Sequence, residues 1–272
     1  EPRDASLDGV DLTPSADNAV AFSPLPAGLQ IPRLGVPPGS TVASLGDYRH
    51  DGRSFLLTSD FAWVPKDRVA PFAPITFHGV PLGGSVRLPL AFFREHDRPA
   101  YRMTAAGGFE RAEHVFPRLG WVALDGKRRD SDGLTYLETA LSGLWVLESD
   151  AVVPTPRERT PWGARVGAPD SLPARPRGRA TWLEASVQGG WLIAYEDTRP
   201  VYVTLVSAGR GGAIRSAARN LDTSSATPIG QYPVSGKFVT ATMDAPSGET
   251  HAEVPWVQNF RGAHALHAAY WH

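Results

Sequence analysis

The chain contains no cysteine, only two methionines and three lysines (Lys66, Lys127 and Lys237), and it has almost no net charge. Without cysteine there are no disulfides, no thiolate zinc sites, no iron–sulfur clusters and, within these residues, no thiol nucleophile. The 27 Lys plus Arg are balanced by 28 Asp plus Glu. That balance removes the global basic field that nucleic acid or an anionic membrane surface would require, so nucleic acid is not an expected partner. With three lysines the cations are nearly all arginine, which together with abundant Ala, Gly and Pro reads as codon bias rather than mechanism. Long apolar runs are also missing. The densest, residues 141–147 and 191–195, are strand-sized, well short of the roughly 18–20 residues that cross a bilayer as a helix, so no transmembrane segment is expected.

What is present describes a folded β protein. Of 272 residues 42% are hydrophobic and 20% charged, an ordinary soluble composition, and a chain of this length buries about 70–75% of the surface its unfolded form exposes. The 27 glycines and 25 prolines interrupt the backbone too often for long helices and favour short strands joined by turns. The prediction is an all-β fold. Residues 1–40, rich in Pro, Asp, Ser and Gly and without sustained periodicity, read as an extended arm lying on a folded body, or as a disordered leader. The chain opens at Glu1 rather than methionine, which is compatible with removal of an upstream signal peptide or anchor.

Two segments resemble each other. Asp51-Gly52 is followed by Ser54-Phe55-Leu56-Leu57-Thr58, Trp63-Val64 and Asp67-Arg68-Val69; Asp132-Gly133 is followed by Thr135-Tyr136-Leu137-Glu138-Thr139, Trp145-Val146 and Asp150-Ala151-Val152. Asp-Gly is a strong hairpin signal, β-forming residues come next, and Trp-Val opens a further short strand. Each unit reads as the closing hairpin of a small barrel, and the pattern resembles bacterial SH3-like modules, which accompany cell-wall enzymes. Chance similarity of two hairpins is the alternative. Residues 41–153 are assigned to such modules.

Residues 154–180 carry six prolines and six arginines, a density that suits stiff extended chain and predicts a domain boundary. From Thr181 regular strands return: 182–187, a Gln188-Gly189-Gly190 turn, 191–196, a turn at 197–200, then 201–207, a three-stranded meander. The last of these has apolar residues on both faces, as suits a strand between two neighbours. Residues 213–221 are expected as a short helix or loop, after which 230–234 and 236–243 resume the β pattern.

From residue 181 to 272 several motifs fall in order. They are the meander, Ser207-Ala208-Gly209-Arg210, Thr227-Pro228-Ile229-Gly230-Gln231-Tyr232-Pro233-Val234, Lys237, Thr242-Met243-Asp244, Val254-Pro255-Trp256-Val257, Gly262, and Ala265-Leu266-His267-Ala268-Ala269-Tyr270-Trp271-His272. This series resembles the catalytic domain of the L,D-transpeptidases, the YkuD fold, over about a third of the chain. The resemblance implies a β-sandwich whose cysteine forms a thioester with a peptidoglycan stem peptide, and an amine acceptor that resolves it to a 3–3 cross-link, with no ATP, metal or other cofactor. It also implies a periplasmic or envelope location, peptidoglycan stem peptides as partners, and carbapenem β-lactams as acylating inhibitors.

By the same resemblance His267 matches the general base, and Met243 and Trp271 line the substrate pocket. Ala268 takes the small position, usually Gly or Ser, beside the imidazole. The family's cysteine segment follows that base by some fifteen to twenty residues and would lie beyond residue 272. The competing expectation is a non-catalytic wall-binding or scaffold protein that keeps the fold. His264, His267 and His272 form an H-x2-H-x4-H cluster, but the odd spacing sends His264 and His267 to opposite faces of a strand, so metal binding is not expected. His50, His78, His96, His114 and His251 read as surface or hydrogen-bonded structural residues.

Overall fold

The structure is a computed structural model that describes residues 36–72, 76–168, 181–209, 211–215, 226–244 and 248–269. The early strands are β1 (Ser44–His50), β2 (Arg53–Thr58), β3 (Trp63–Pro65), β4 (Val80–Pro81), β5 (Leu90–Phe92) and β6 (Arg98–Met103). They are followed by β7 (Phe109–Phe116), β8 (Trp121–Ser131), β9 (Leu134–Thr139), β10 (Trp145–Leu147), β11 (Thr181–Ser186), β12 (Trp191–Glu196) and β13 (Arg199–Leu205). The last are β14 (Ala213–Arg215), β15 (Thr227–Ile229), β16 (Gly236–Asp244), β17 (Thr250–Arg261) and β18 (His264–Leu266). The fold is all-β, as the glycine and proline content predicts, and the strands of its main sheets pair antiparallel.

Two Asp-Gly turns carry the internal repeat. Asp51 and Gly52 sit at φ 46° and 79°, Asp132 and Gly133 at 52° and 75°. Two successive positive values define the type I′ turn, which matches the right-handed twist of the flanking strands. The first turn closes β1 on β2 and the second closes β8 on β9. Beyond each hairpin the same devices return. The Thr58 amide donates to the Ala62 carbonyl and the Thr139 amide to the Leu144 carbonyl, each at 2.9 Å, with both threonines buried. Trp63-Val64 and Trp145-Val146 then pair back onto β2 and β9, and a single 3-10 turn follows each. The same two positions even form the same ion pair with the charges exchanged: Lys66 with Asp47 in the first copy, Glu148 with Arg128 in the second. Such exposed pairs contribute roughly 0–1 kcal/mol, so they mark common register more than stability.

The chain divides into two compact units. Unit 2, Phe77–Ile214, contains a six-stranded sheet in the order β5-β8-β9-β10-β6-β7 and a four-stranded sheet in the order β11-β12-β13-β4. The residues that join them are on and just after β5. Leu90 and Phe92 pack with Val80, Trp191, Ile193, Tyr195 and Val203, while Ala91 and Phe93 pack with Ala100, Phe116, Val122, Leu137, Leu144 and Val146. All four are fully buried. Alternating side chains of one strand therefore feed two cores, and each fully buried large apolar side chain contributes about 1.5–3 kcal/mol.

Unit 1 comprises Glu1–Thr76 and Arg215–His272. Its described sheets are β1-β2-β3 and β16-β17-β18. Buried Ser40 and Thr41 attach to β17: the Thr41 amide donates to the Thr250 carbonyl at 2.8 Å, and the Ala252 amide returns to the Thr41 carbonyl at 3.1 Å.

These units differ from the predicted partition in two respects. Residues 154–168, expected as linker, belong to unit 2 and are built into it. Pro154, Thr160 and Ala164 are buried, the Thr160 amide donates to the Ala164 carbonyl at 2.8 Å, and Val166 packs on the second core. The prolines there shape a tight turn instead of a spacer; the remaining residues of that segment, 169–180, lie outside the described ones, as do residues 1–35 of the arm. Residues 181–272, expected as one domain, are shared between the units, because β13 pairs with β4 from far upstream (Tyr202 with Pro81, Val203 with Val80). Residues 213–215 are strand rather than helix, 216–221 lie outside the described residues, and the strand expected at 230–234 falls instead on β15.

Candidate functional site

The C-terminal motif is held by the three-stranded sheet β16-β17-β18. A turn at Gly262 with φ 50° reverses the chain, and Arg261 faces His264, Asn259 faces Ala265, and Gln258 faces Leu266. The ladder runs one step past β18, since the Ala268 amide donates to the Pro255 carbonyl at 3.0 Å. His267 is therefore fixed on both sides by backbone pairing. Its ring is half-buried, with Nδ1 3.2 Å from the Ala268 carbonyl, and Ala268 beside it is exposed.

Met243 lies on β16 opposite His251, and β16 pairs with β17 throughout. Met243 and His267 therefore share one sheet but stand apart in it: His267 is level with Val257 and Phe238, two strand spacings across and five residues along β16 from Met243, roughly 20 Å in all, so the sheet does not bring them to one site. The end of β16 is tied down locally. Thr250 Oγ1 donates to Asp244 Oδ1 at 2.8 Å, and His251 Nδ1 lies 3.3 Å from Thr41 Oγ1. The Ser40-Thr41 strap thus reaches the strand that faces Met243, a contact between residues 210 apart in sequence that no local pattern announces. Trp271, the third expected pocket residue, and His272 lie outside the described residues.

The Thr227–Val234 motif has a clear physical basis. Pro228 on β15 is buried. The Tyr232 hydroxyl donates back to the Ile229 carbonyl at 3.1 Å, and a Cβ at Gly230 would fall 2.6 Å from that hydroxyl. Glycine lets the tyrosine ring fold over it, and any larger residue would make that ring swing aside. Tyr232 in turn stands 5.6 Å from the Phe260 ring, with the Arg261 guanidinium 5.6 Å from its own ring. Lys237 is exposed opposite Gln258.

His264 Nε2 lies 3.1 Å from the Ala226 carbonyl, so that imidazole is engaged by backbone. Among the described residues no three His, Asp or Glu side chains converge as a metal site.

In unit 2 the meander contains a polar cluster that sequence reading missed. Tyr195, 1% exposed, donates its hydroxyl to Glu184 Oε2 at 2.7 Å, and the Arg157 amide donates to the same oxygen at 3.2 Å. Burial, and then the hydrogen bond to the Glu184 carboxylate, push the Tyr195 hydroxyl far above the usual phenol range. Trp182 stacks on Tyr195 at 3.8 Å and donates its indole N–H to the Asp197 carbonyl at 2.8 Å. The alternation Trp182, Glu184 on one strand was a visible signal. Its partners on the returning strand depended on a register that only the structure supplies. Comparison of the chain with protein-family models, with curated proteins and with solved structures finds no match.

Proposed function

We propose that this protein is an exported peptidoglycan L,D-transpeptidase, acting in the periplasm or cell envelope through a cysteine supplied from beyond residue 272. The observation that supports this reading most is the placement of His267. The motif residue that resembles the family's base directly follows β18 and is backbone-pinned by Ala268. A base in such a position must hold its imidazole steady while it exchanges a proton with a reacting group, and pairing of the next residue to β17 limits its freedom.

In this scheme His267 takes the thiol proton as sulfur attacks the stem-peptide carbonyl. The carbon–nitrogen bond to the terminal D-alanine breaks, and His267 returns the proton to the leaving amine. An acceptor amine then attacks the thioester, its proton passes to His267, and the thiolate leaves as the new amide forms. The second amine sets whether the product is a 3–3 cross-link or another conjugate.

The test is incubation of the full-length protein with tetrapeptide muropeptides and mass spectrometry of the products. Dimers lacking one terminal D-alanine support the reading when His267→Gln, with an unchanged circular dichroism spectrum, forms none. A folded His267→Gln protein that retains full activity refutes the assignment of the base.

A further inference from the structure

The two copies of the hairpin repeat differ in what covers their aromatic face. In the second copy Glu138 faces Trp145, and Tyr136 faces both Arg129 and Leu147, so Trp145, Tyr136 and Arg129 lie on one face of β8-β9-β10. Tyr136 and Trp145 are each 6% exposed. The β6-β7 hairpin covers them. Phe109 stacks on Tyr136 at 3.8 Å and meets Trp145 edge-on at 5.2 Å, Tyr101 meets Tyr136 edge-on at 5.2 Å, and Tyr101 pairs with Trp145 across the ladder.

In the first copy the equivalent face holds Tyr48, Phe55 and Trp63, since Tyr48 faces Phe55 and Leu57 faces Trp63. Here Phe55 and Trp63 are only half-buried and Tyr48 is 48% exposed. The Tyr48 and Trp63 rings are 5.0 Å apart at 47°, and the Arg53 guanidinium stands 5.7 Å from the Phe55 ring. Among the described residues β3 is also the edge of its sheet, where its counterpart β10 is interior.

We propose that the Tyr48–Phe55–Trp63 face and the β3 edge bind a β-hairpin peptide bearing aromatic side chains, one strand pairing with β3, as β6 and β7 cover the same face of the second copy. The repeat itself argues for this occupant. Strand addition pairs the edge backbone at Trp63 as β6 pairs that of Trp145. Pro65, which has no N–H, is no obstacle, because the β10–β6 pairing falls at Trp145 rather than at the position equivalent to Pro65. Aromatic residues on one side of the incoming strand then meet Tyr48 and Trp63 with the offset and edge-on geometries that such rings prefer. The rim is charge-balanced, with Arg53 paired to Asp67 and Lys66 to Asp47, which suits a peptide of low net charge better than a polyanion.

The test uses the intact protein and a peptide copying residues 98–116, closed by a short linker between its ends because an isolated hairpin is marginal in water. Saturable binding that shifts the Trp63 indole resonance is expected. Tyr48→Arg, the residue type the second copy carries as Arg129, should weaken binding about tenfold, with Tyr48→Ala as a second variant, and the peptide with Y101S and F109S should lose it. Equal binding of that altered peptide, unchanged affinity in both folded Tyr48 variants, or Trp63 shifts produced by an N-acetylglucosamine trimer and not by the peptide would overturn the proposal.

Discussion

Replacing Gly79 with alanine tests directly whether residues 77–214 form one cooperative unit. A Cβ at Gly79 would lie 2.3 Å from the Tyr202 hydroxyl oxygen and 2.6 Å from Thr204 Cβ. The tyrosine tip can yield, but Thr204 Cβ is fixed to β13. Relief therefore requires β4 to move away from β13, to which it is held by the pairing of Val80 and Pro81 and by the Leu82 amide donating to the Val201 carbonyl at 2.8 Å. That movement also strains the Gly79 amide, which donates to the Tyr202 hydroxyl at 2.9 Å. Overpacking costs about 1–3 kcal/mol and the hydrogen bond about 1, so Gly79→Ala should destabilise by about 2–4 kcal/mol. At about 2–4 °C per kcal/mol for a unit of this size, the melting temperature should fall by about 4–16 °C. Calorimetry with far-ultraviolet circular dichroism reads this, and the whole transition of unit 2 should shift because β5 contributes to both of its cores and so links its two sheets. In a Tyr202→Phe background the cost should shrink by about 1 kcal/mol, the coupling expected of neighbours. A Gly79→Ala protein within 0.5 kcal/mol of the parent, on the scale of a neutral surface change, or one in which only part of unit 2 melts early, would refute the reasoning.

Other expectations follow from the same contacts. Trp145→Ala should cost about 3–5 kcal/mol in urea denaturation, as for a buried aromatic, and Trp63→Ala roughly half of that or less; equal costs would contradict the difference in cover. Gly52→Ala and Gly133→Ala, at φ 79° and 75°, should each destabilise by about 1–2 kcal/mol, measured by the same method. Tyr195 keeps its proton when folded at a pH where the unfolded chain loses it. Stability should then be level below about pH 10 and fall above it by about 1.4 kcal/mol per pH unit for this group. Tyr195→Phe should reduce that slope between pH 10 and 11 by one group's worth, and an unchanged slope would place the alkaline loss elsewhere.

Much of the local structure was legible because short-range chemistry dictates it. Asp51-Gly52 and Asp132-Gly133 mark type I′ turns wherever they meet β-forming neighbours, and both hairpins form as read. The meander was equally clear, from Gly189-Gly190 and the turn at Asp197, whose φ is 54°. What the pattern did not convey was partnership over long separations. Val80 and Pro81 look like loop until β13 is beside them, and β5 reads as one apolar run although its two faces enter different cores. Proline density at 154–168 suggested a spacer, but buried Thr160 and Ala164 make it a packed turn. For the candidate site, His267, Ala268 and Met243 were identifiable as motif residues. The Thr41–His251 strap and the Tyr195–Glu184 pair were not, since each depends on register between strands distant or reversed in sequence.

The central claim is acyl transfer served by His267. It is tested most directly by intact mass spectrometry of the full-length protein after incubation with a carbapenem. The account predicts a single covalent adduct on a cysteine beyond residue 272, formed far more slowly in a folded His267→Gln variant. A folded full-length protein that possesses that cysteine and gains no mass, or one that acylates at the same rate without His267, would contradict it.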